Sequence, residues 1–336
     1  MTEAGLGTWA GPVRPARAVR GAAIASLGAA LPRTTVPNDQ IAPRLGVDDR
    51  WILKRIGVRE RRMIAPDERL SDLVTAAARQ ALGRAEVDPE DLDLVLVGTF
   101  TQDEVLPNAA PLVAAALGAT RAGGVDVGAA CMGFLSGVAL AAGIIEAGRA
   151  DSVLVAGAEV LTRYLDADDR LTAALIGDGA GAVVMTAVGA PSRIGPCVLR
   201  CDDRSRDVVY MTRNDMKLRM EAQQTFVHAV DYLCDVTHEA VAAAGLTLDE
   251  IDLFVYHQAN ARITTSVGDR LELPPERVVD CIETLGNTSA ASIPLALDVA
   301  QRECRLHPGM RVLVAAIGAG FTWGAAVIEW SAGGVR

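Results

Sequence analysis

Apolar residues along this chain fall into two kinds of run. The short ones, LVLVG (94–98), SVLVAG (152–157), LFVYH (253–257) and RVLVAAIG (311–318), are almost continuously apolar, as expected of strands covered on both faces by helices. The longer ones, residues 131–147 and 287–304, are rich in Gly and Ala and predict two apolar helices. The order repeats. VDPEDLDLVLVGTFTQ (87–102) is answered by LTLDEIDLFVYHQANA (246–261), an acidic turn leading into a strand that ends in polar residues. ADSVLVAGAEV (150–160) is answered in the same way by GMRVLVAAIGAG (309–320). Two copies of one strand-helix-strand plan predict a duplicated α/β body with layers in the order αβαβα. The expected divisions are an N-terminal extension (1–20) of Gly, Pro, Arg and Ala without periodicity, then halves at 21–190 and 191–336.

Composition narrows the function class. Half of the 336 residues are hydrophobic and 22% are charged, which suits a compact soluble enzyme. A formal charge of −10 argues against nucleic acid as a partner, since phosphate backbones draw on many Lys and Arg side chains. KRIGVRERR (54–62) is a local basic exception, suited to a small phosphorylated or acidic ligand. The uncharged run 127–145 approaches the length of a membrane span, but its glycines and flanking strands favour a buried central helix, and no membrane partner is expected. Six cysteines without a CxxC pair, and an N-terminus without a charged-then-apolar pattern, point to a reducing cytoplasm. No Cys or His spacing suggests a metal site.

Functional residues of such sheets gather where strands end and helices begin. Cys131, His257 and Asn287 each occupy such a junction. Taken singly, each has a bland reading: a small core residue, a polar strand end, a helix cap. The helix start at Cys131 would favour thiolate over thiol. Together the three supply a nucleophile, a hydrogen-bond donor or base, and a neutral donor, the set that acyl transfer through a thioester requires. GDGAG (177–181) lacks the dinucleotide spacing and reads as close backbone packing near the site.

The blocks DVGAACMGF (126–134), GDGAGAVV (177–184), HQANARI (257–263), GNTSAASIPLAL (286–297) and GAGFTWGAAV (318–327) resemble those of β-ketoacyl-acyl carrier protein synthase III, in the thiolase superfamily, from about Gly21 to Trp330. The resemblance implies a thiolase-like fold, acylation of Cys131 by an acyl-CoA, and His257 and Asn287 as donors to the enolate left when a malonyl thioester loses CO2. It implies an oxyanion hole from the backbone N–H groups of Cys131 and Ala319. It places Trp51, Arg55, Arg170 and Asn260 on coenzyme A, which would be a substrate rather than a resident cofactor. Leu106 stands where relatives place an acyl-pocket residue across a homodimer interface, and a smaller side chain there suggests a longer or branched starter. The extender would be malonyl-CoA or a malonyl group on an acyl carrier protein.

Two departures qualify the resemblance. Val227, in MEAQQTFVHAV (220–230), replaces a Lys that would grip an acidic carrier, leaving Arg262 as a carrier contact. The charge-rich stretch 200–220 reads as a solvated loop, with a lid over the acyl tunnel as the alternative. The first functional expectation is a decarboxylative Claisen condensation that starts a fatty-acid or polyketide chain. The second is acyl transfer from Cys131 to an alcohol, amine or thiol. The third, a silent partner subunit, is disfavoured by the intact set of three.

Overall fold

The computed structural model describes residues 20–332, so the expected N-terminal extension lies outside the described residues except for Arg20, which opens the first strand. Strand alternation explains why the apolar runs have no polar face. In Ser152–Glu159, Val153 and Val155 face one core while Leu154 and Ala156 face another.

That strand is the centre of a five-stranded sheet ordered Arg20–Ala30, Gly179–Gly189, Ser152–Glu159, Leu94–Gly98, Gly123–Val127, the last three mutually parallel. A second sheet has the order Leu253–Tyr256, Arg311–Gly318, Thr322–Glu329, Val198–Cys201, with only the first pair parallel. The sequence echo is therefore a structural one. Gly98 pairs with Gly157 in the first sheet as Tyr256 pairs with Ala315 in the second.

Helices Gly133–Glu146 and Ser292–Arg302 lie between the sheets, where Leu135, Val138, Ile293 and Leu297 share one core with Val153, Val155, Val312 and Val314. Helices Leu70–Ala85 and Ala109–Leu117 cover the outer face of the first sheet, and Ala222–Ala243 and Ala261–Arg270 that of the second. The five-layered αβαβα arrangement is thus present. Among the described residues no helix is long and apolar enough to cross a membrane.

Close backbone contact brings the two central helix starts together. A Cβ on Gly157 would lie 2.2 Å from the carbonyl oxygen of Ala290, and one on Gly98 would lie 2.4 Å from the carbonyl carbon of Gly133. Only glycine permits these approaches.

Two sequence expectations need correction here. Residues 200–220 are not a loose solvated loop: strands Val209–Met211 and Leu218–Met220 form a hairpin, anchored by buried Val208 and Leu218. The basic run 54–62 is not a uniform ligand-facing patch either. Arg61 is fully buried and donates to the carbonyl oxygens of Val36 and Ala174 and to Asn38 Oδ1, while Arg59 pairs with Glu283.

Candidate active site

Cys131 sits in the single 3-10 turn Ala130–Met132 that leads into the central helix Gly133–Glu146. Its sulfur accepts a hydrogen bond from Ser289 Oγ at 3.2 Å, across the junction between the halves. Burial pushes the Cys131 thiol up to about 11; the Ser289 hydroxyl opposes the shift and the nearby Glu159 carboxyl adds to it. At rest Cys131 is therefore a thiol, contrary to the thiolate expected from the helix start. Desolvation outweighs the helix terminus, whose effect is worth about 1 kcal/mol or less in most settings.

Glu159 itself is fully buried, accepting from Thr101 Oγ1, from Thr99 Oγ1 at 3.3 Å and from the Phe100 N–H at 3.3 Å. Burial raises its carboxyl well above the usual range, against the pull of the three donors that it accepts from.

His257 follows the strand Leu253–Tyr256 and is held by its own N–H, which donates to the Ala315 carbonyl at 2.8 Å. Its Nδ1 lies 2.6 Å from Ser292 Oγ, at the first turn of the second central helix. Burial lowers the imidazole to about 4, so it is neutral at physiological pH.

Asn287 is pinned on both sides. Its backbone N–H donates to Leu175 at 2.9 Å and its carbonyl accepts from the Gly177 N–H at 3.0 Å. Its side-chain Oδ1 accepts from the Ser289 N–H at 2.8 Å, and one Nδ2 hydrogen goes to the Ala259 carbonyl at 3.2 Å, which leaves the second Nδ2 hydrogen unused by these contacts. The GDGAG block therefore does pack closely at the site, and its first glycine registers Asn287. A Cβ on Gly177 would stand 2.2 Å from the Leu285 carbonyl oxygen.

Cys131, His257, Asn287 and Ala319 all line one cavity of about 540 Å³. The end of strand Arg311–Gly318, just before Ala319, rests on the Cys131 turn, since a Cβ on Gly318 would lie 3.0 Å from the Cys131 nitrogen. Trp51, Arg55, Arg170 and Asn260 line the same cavity. Asp48 caps the short helix Asp49–Arg55 by accepting from the Trp51 N–H at 2.7 Å, which fixes the start of the helix that carries Trp51 and Arg55. The Arg170 guanidinium lies 5.5 Å from the Trp51 ring centroid, a direct cation–π contact. A flat ring slipped between them would need about 7 Å, twice an ordinary carbon contact of about 3.5 Å, so the pair must part to admit one. Asn260 also performs its structural role, its Oδ1 capping helix Ala261–Arg270 by accepting from the Arg262 N–H at 3.0 Å.

Leu106 is not brought to this cavity. It is 79% exposed, and beside it Val105 and Asn108 line a second cavity of about 540 Å³ with Tyr164, Met211 and Met216. The 209–220 hairpin supplies walls to both cavities, and Ala319 is shared between them. Val227 is 49% exposed and adjoins Phe226, over whose ring Arg262 stacks at 5.5 Å. Sequence reasoning missed Phe226, Ser289, Ser292 and Glu159. Both serines lie in the GNTSAAS block that flagged Asn287, and small polar residues packed that tightly were the available signal.

Comparison with known proteins agrees with this fold. Residues 125–203 match the family 3-oxoacyl-[acyl-carrier-protein] synthase III, and residues 241–330 match the C-terminal domain of that family. The chain is 43% identical over 319 residues to a β-ketoacyl-[acyl-carrier-protein] synthase III of Rhizorhabdus wittichii, covering 93% of this chain and all of the relative. It is 41% identical over 313 residues to synthase III 2 of Streptomyces coelicolor, covering 93% and 94%. Among solved structures, 3-oxoacyl-(acyl carrier protein) synthase III of Pseudomonas aeruginosa superposes with a TM-score of 0.88 at 39% identity, over 92% of this chain and 98% of that one. The priming β-ketosynthase of the R1128 polyketide pathway superposes with a TM-score of 0.90 at 35% identity, over 95% and 99%. Matched by the family's descriptions in both halves and 43% identical to a member over 93% of its length, the chain belongs to the 3-oxoacyl-[acyl-carrier-protein] synthase III family.

Proposed function

We propose that Cys131, His257 and Asn287 carry out a decarboxylative condensation in two half-reactions. The observation that carries this reading is their meeting in one cavity with Trp51, Arg55 and Arg170. In the first half-reaction the Cys131 sulfur attacks the carbonyl of an acyl-CoA. The C–S bond to coenzyme A breaks, and the thiol proton ends on the departing coenzyme A sulfur, so no net charge is left in a buried site. The N–H groups of Cys131 and Ala319 receive the transient oxyanion. Trp51 and Arg170 open to hold the adenine, Arg55 meets phosphate, and Asn260 lies along the pantetheine arm.

In the second half-reaction a malonyl thioester takes the place of coenzyme A. Loss of CO2 moves the carboxylate's electron pair onto the thioester carbonyl, where His257 and Asn287 donate hydrogen bonds to the enolate oxygen. The enolate carbon attacks the acyl carbonyl, Cys131 leaves, and one proton is taken up to restore the thiol. Neutral donors suit this step. A fixed cation would also hold the starting carboxylate and stabilise the ground state along with the transition state.

The starter chain extends toward the second cavity beyond Ala319, between Tyr164 and the 209–220 hairpin. Leu106, exposed on one protomer, reaches a partner's cavity in a homodimer. The two halves, 21–190 and 191–336, act as one unit because the site is assembled from both. Free cysteines among the described residues support a reducing cytoplasm. No resident cofactor enters the scheme. An acyl carrier protein delivers the extender with help from Arg262, although exposed Val227 weakens that docking surface.

The test loads the protein with a panel of acyl-CoAs, locates the adduct on Cys131 by mass, then adds malonyl thioester and follows CO2 release with adduct loss. Condensation requires both to occur together and to stop in Asn287→Ala. Acylation with malonyl thioester ignored would replace this reading with acyl transfer to an alcohol, amine or thiol.

A further inference from the structure

Ser292 lies at the start of the buried helix Ser292–Arg302 and, unlike His257, does not line the cavity. Its hydroxyl oxygen stands 2.6 Å from His257 Nδ1 and accepts from the Gln258 N–H at 3.3 Å. Gln258 is fixed at both ends of its own side chain. Its Nε2 donates to the carbonyls of Tyr256 at 3.0 Å and Val279 at 3.2 Å, and its Oε1 accepts from the Cys281 N–H at 3.0 Å. The backbone N–H aimed at Ser292 is therefore held in place.

A serine hydroxyl has one hydrogen to give and two lone pairs to receive. The Gln258 N–H occupies one lone pair. Ser292 is 1% exposed, so its hydrogen needs a partner inside the protein. Among the described residues the acceptor placed for it is His257 Nδ1. If Nδ1 carried the imidazole hydrogen instead, the Ser292 hydrogen would be left buried and unpaired.

We propose that Ser292 is a positioning residue that holds neutral His257 as its Nε2–H tautomer, turning the imidazole into an obligate donor toward the cavity. The proposal rests on the condensing-enzyme reading for its consequence, but not for the tautomer itself. It assigns a task to Ser292 and Gln258 together. Locked this way, His257 cannot serve as a base toward Cys131 without first releasing a hydrogen, so its task falls in the malonyl half-reaction. Coenzyme A sulfur as the final proton acceptor in the acylation half-reaction is consistent with that division. The lowered basicity of the buried imidazole supports it further, because the doubly protonated ring is disfavoured.

The direct test is 15N spectroscopy of histidine-labelled full-length protein. There are four histidines, and the His257 signals are identified by their loss in His257→Asn. The expected result is a pyrrole-type Nε2 and a pyridine-type Nδ1. The reverse pattern in the unmodified protein overturns the proposal, whatever the variants do.

Kinetics supply a second reading. In Ser292→Ala the imidazole is free to move its hydrogen to Nδ1, presenting a lone pair to the enolate oxygen. Decarboxylation of malonyl thioester should fall at least tenfold in kcat with KM little changed, while acylation of Cys131 stays within about threefold. Ser292→Thr, which keeps the hydroxyl, should recover most of the loss. Equal loss in both half-reactions would mean that Ser292 merely supports the fold and would overturn the positioning role. Unimpaired decarboxylation in His257→Asn would instead remove the functional reading of His257, leaving the tautomer assignment standing on its spectrum.

Discussion

Replacing Ser289 by Ala isolates the hydrogen bond that the structure places on the nucleophile. The Ser289 hydroxyl donates to Cys131 Sγ at 3.2 Å, in a site where burial holds the thiol at about 11. A hydrogen bond to a charged acceptor is worth about 1.5–3 kcal/mol, and part of it is already made to the neutral thiol. A differential near 1.4 kcal/mol corresponds to about one pKa unit and a tenfold smaller thiolate fraction. The remaining thiolate is more nucleophilic, with a Brønsted coefficient of about 0.4–0.5 that returns roughly threefold. The net expectation for Ser289→Ala is alkylation by iodoacetamide about threefold slower at any fixed pH below 9. In the unmodified protein the rate should climb about tenfold per pH unit across that range, because the thiolate fraction does. The adduct must be read on the Cys131 peptide by mass, since exposed Cys201 and Cys304 alkylate independently. A plateau by pH 8 in the unmodified protein would show that the helix start does overcome burial. An unchanged or faster rate in Ser289→Ala would show that the hydroxyl does not favour the thiolate.

Other perturbations probe the rest of the site. Gly177→Ala should displace the Asn287 strap, because its Cβ meets the Leu285 carbonyl at 2.2 Å. Decarboxylation measured by CO2 release should fall at least tenfold, and wild-type rates would refute the register argument. Trp51→Ala and Arg170→Ala should each raise KM for acyl-CoA about tenfold with kcat within about twofold, as uniform binding contacts do; a fall in kcat at constant KM would place them in the chemistry. Because His257 is held near 4 rather than its ordinary 6.5, decarboxylation should show no acid step between pH 8 and 5.5, and a step near 6.5 would contradict its burial. The same residue contributes about 3 kcal/mol of stability that is fully present above pH 6.5. That contribution is lost as pH falls toward 4, where the unfolded chain is protonated and the folded one resists protonation, and a urea-unfolding series against pH reads the slope.

What the sequence made legible follows from how local each feature is. The strands declare themselves because faces like those of Val153 and Leu154 are both covered, and Cys131, His257 and Asn287 stand at strand and helix junctions that short runs can mark. Arg61 was misread because its direction depends on strand pairing: in the four-residue strand Glu60–Met63 it is the one residue turned fully inward, which a basic run does not reveal. The protonation state of Cys131 was misread for a related reason. The helix start is local and visible, whereas the burial that outweighs it depends on packing by residues far away in the chain, Gly318 among them. Ser292 and Leu106 show the same limit, since one meets a histidine 35 residues away and the other is exposed outside the cavity that holds Cys131.

These separate facts describe one electrostatic strategy. At neutral pH the cavity floor holds Cys131 as a thiol at about 11, His257 as an imidazole at about 4 and the amide of Asn287, and none of these three is charged at rest. Arginines are kept to the mouth, where Arg55, Arg170 and Arg262 line the cavity. A neutral floor penalises any charge that is not met by a prepared donor. In the proposed scheme the malonyl carboxylate is such a charge, and losing it as CO2 transfers the electron pair to an oxygen that would be met by His257 and Asn287. The driving force for decarboxylation thus arises from what the floor lacks as much as from what it contains. Introducing a cation there, as in Asn287→Lys, should therefore slow CO2 release even if malonyl thioester binds more tightly. Faster release in that variant would mean that oxyanion stabilisation alone, and not the neutrality of the floor, sets the rate.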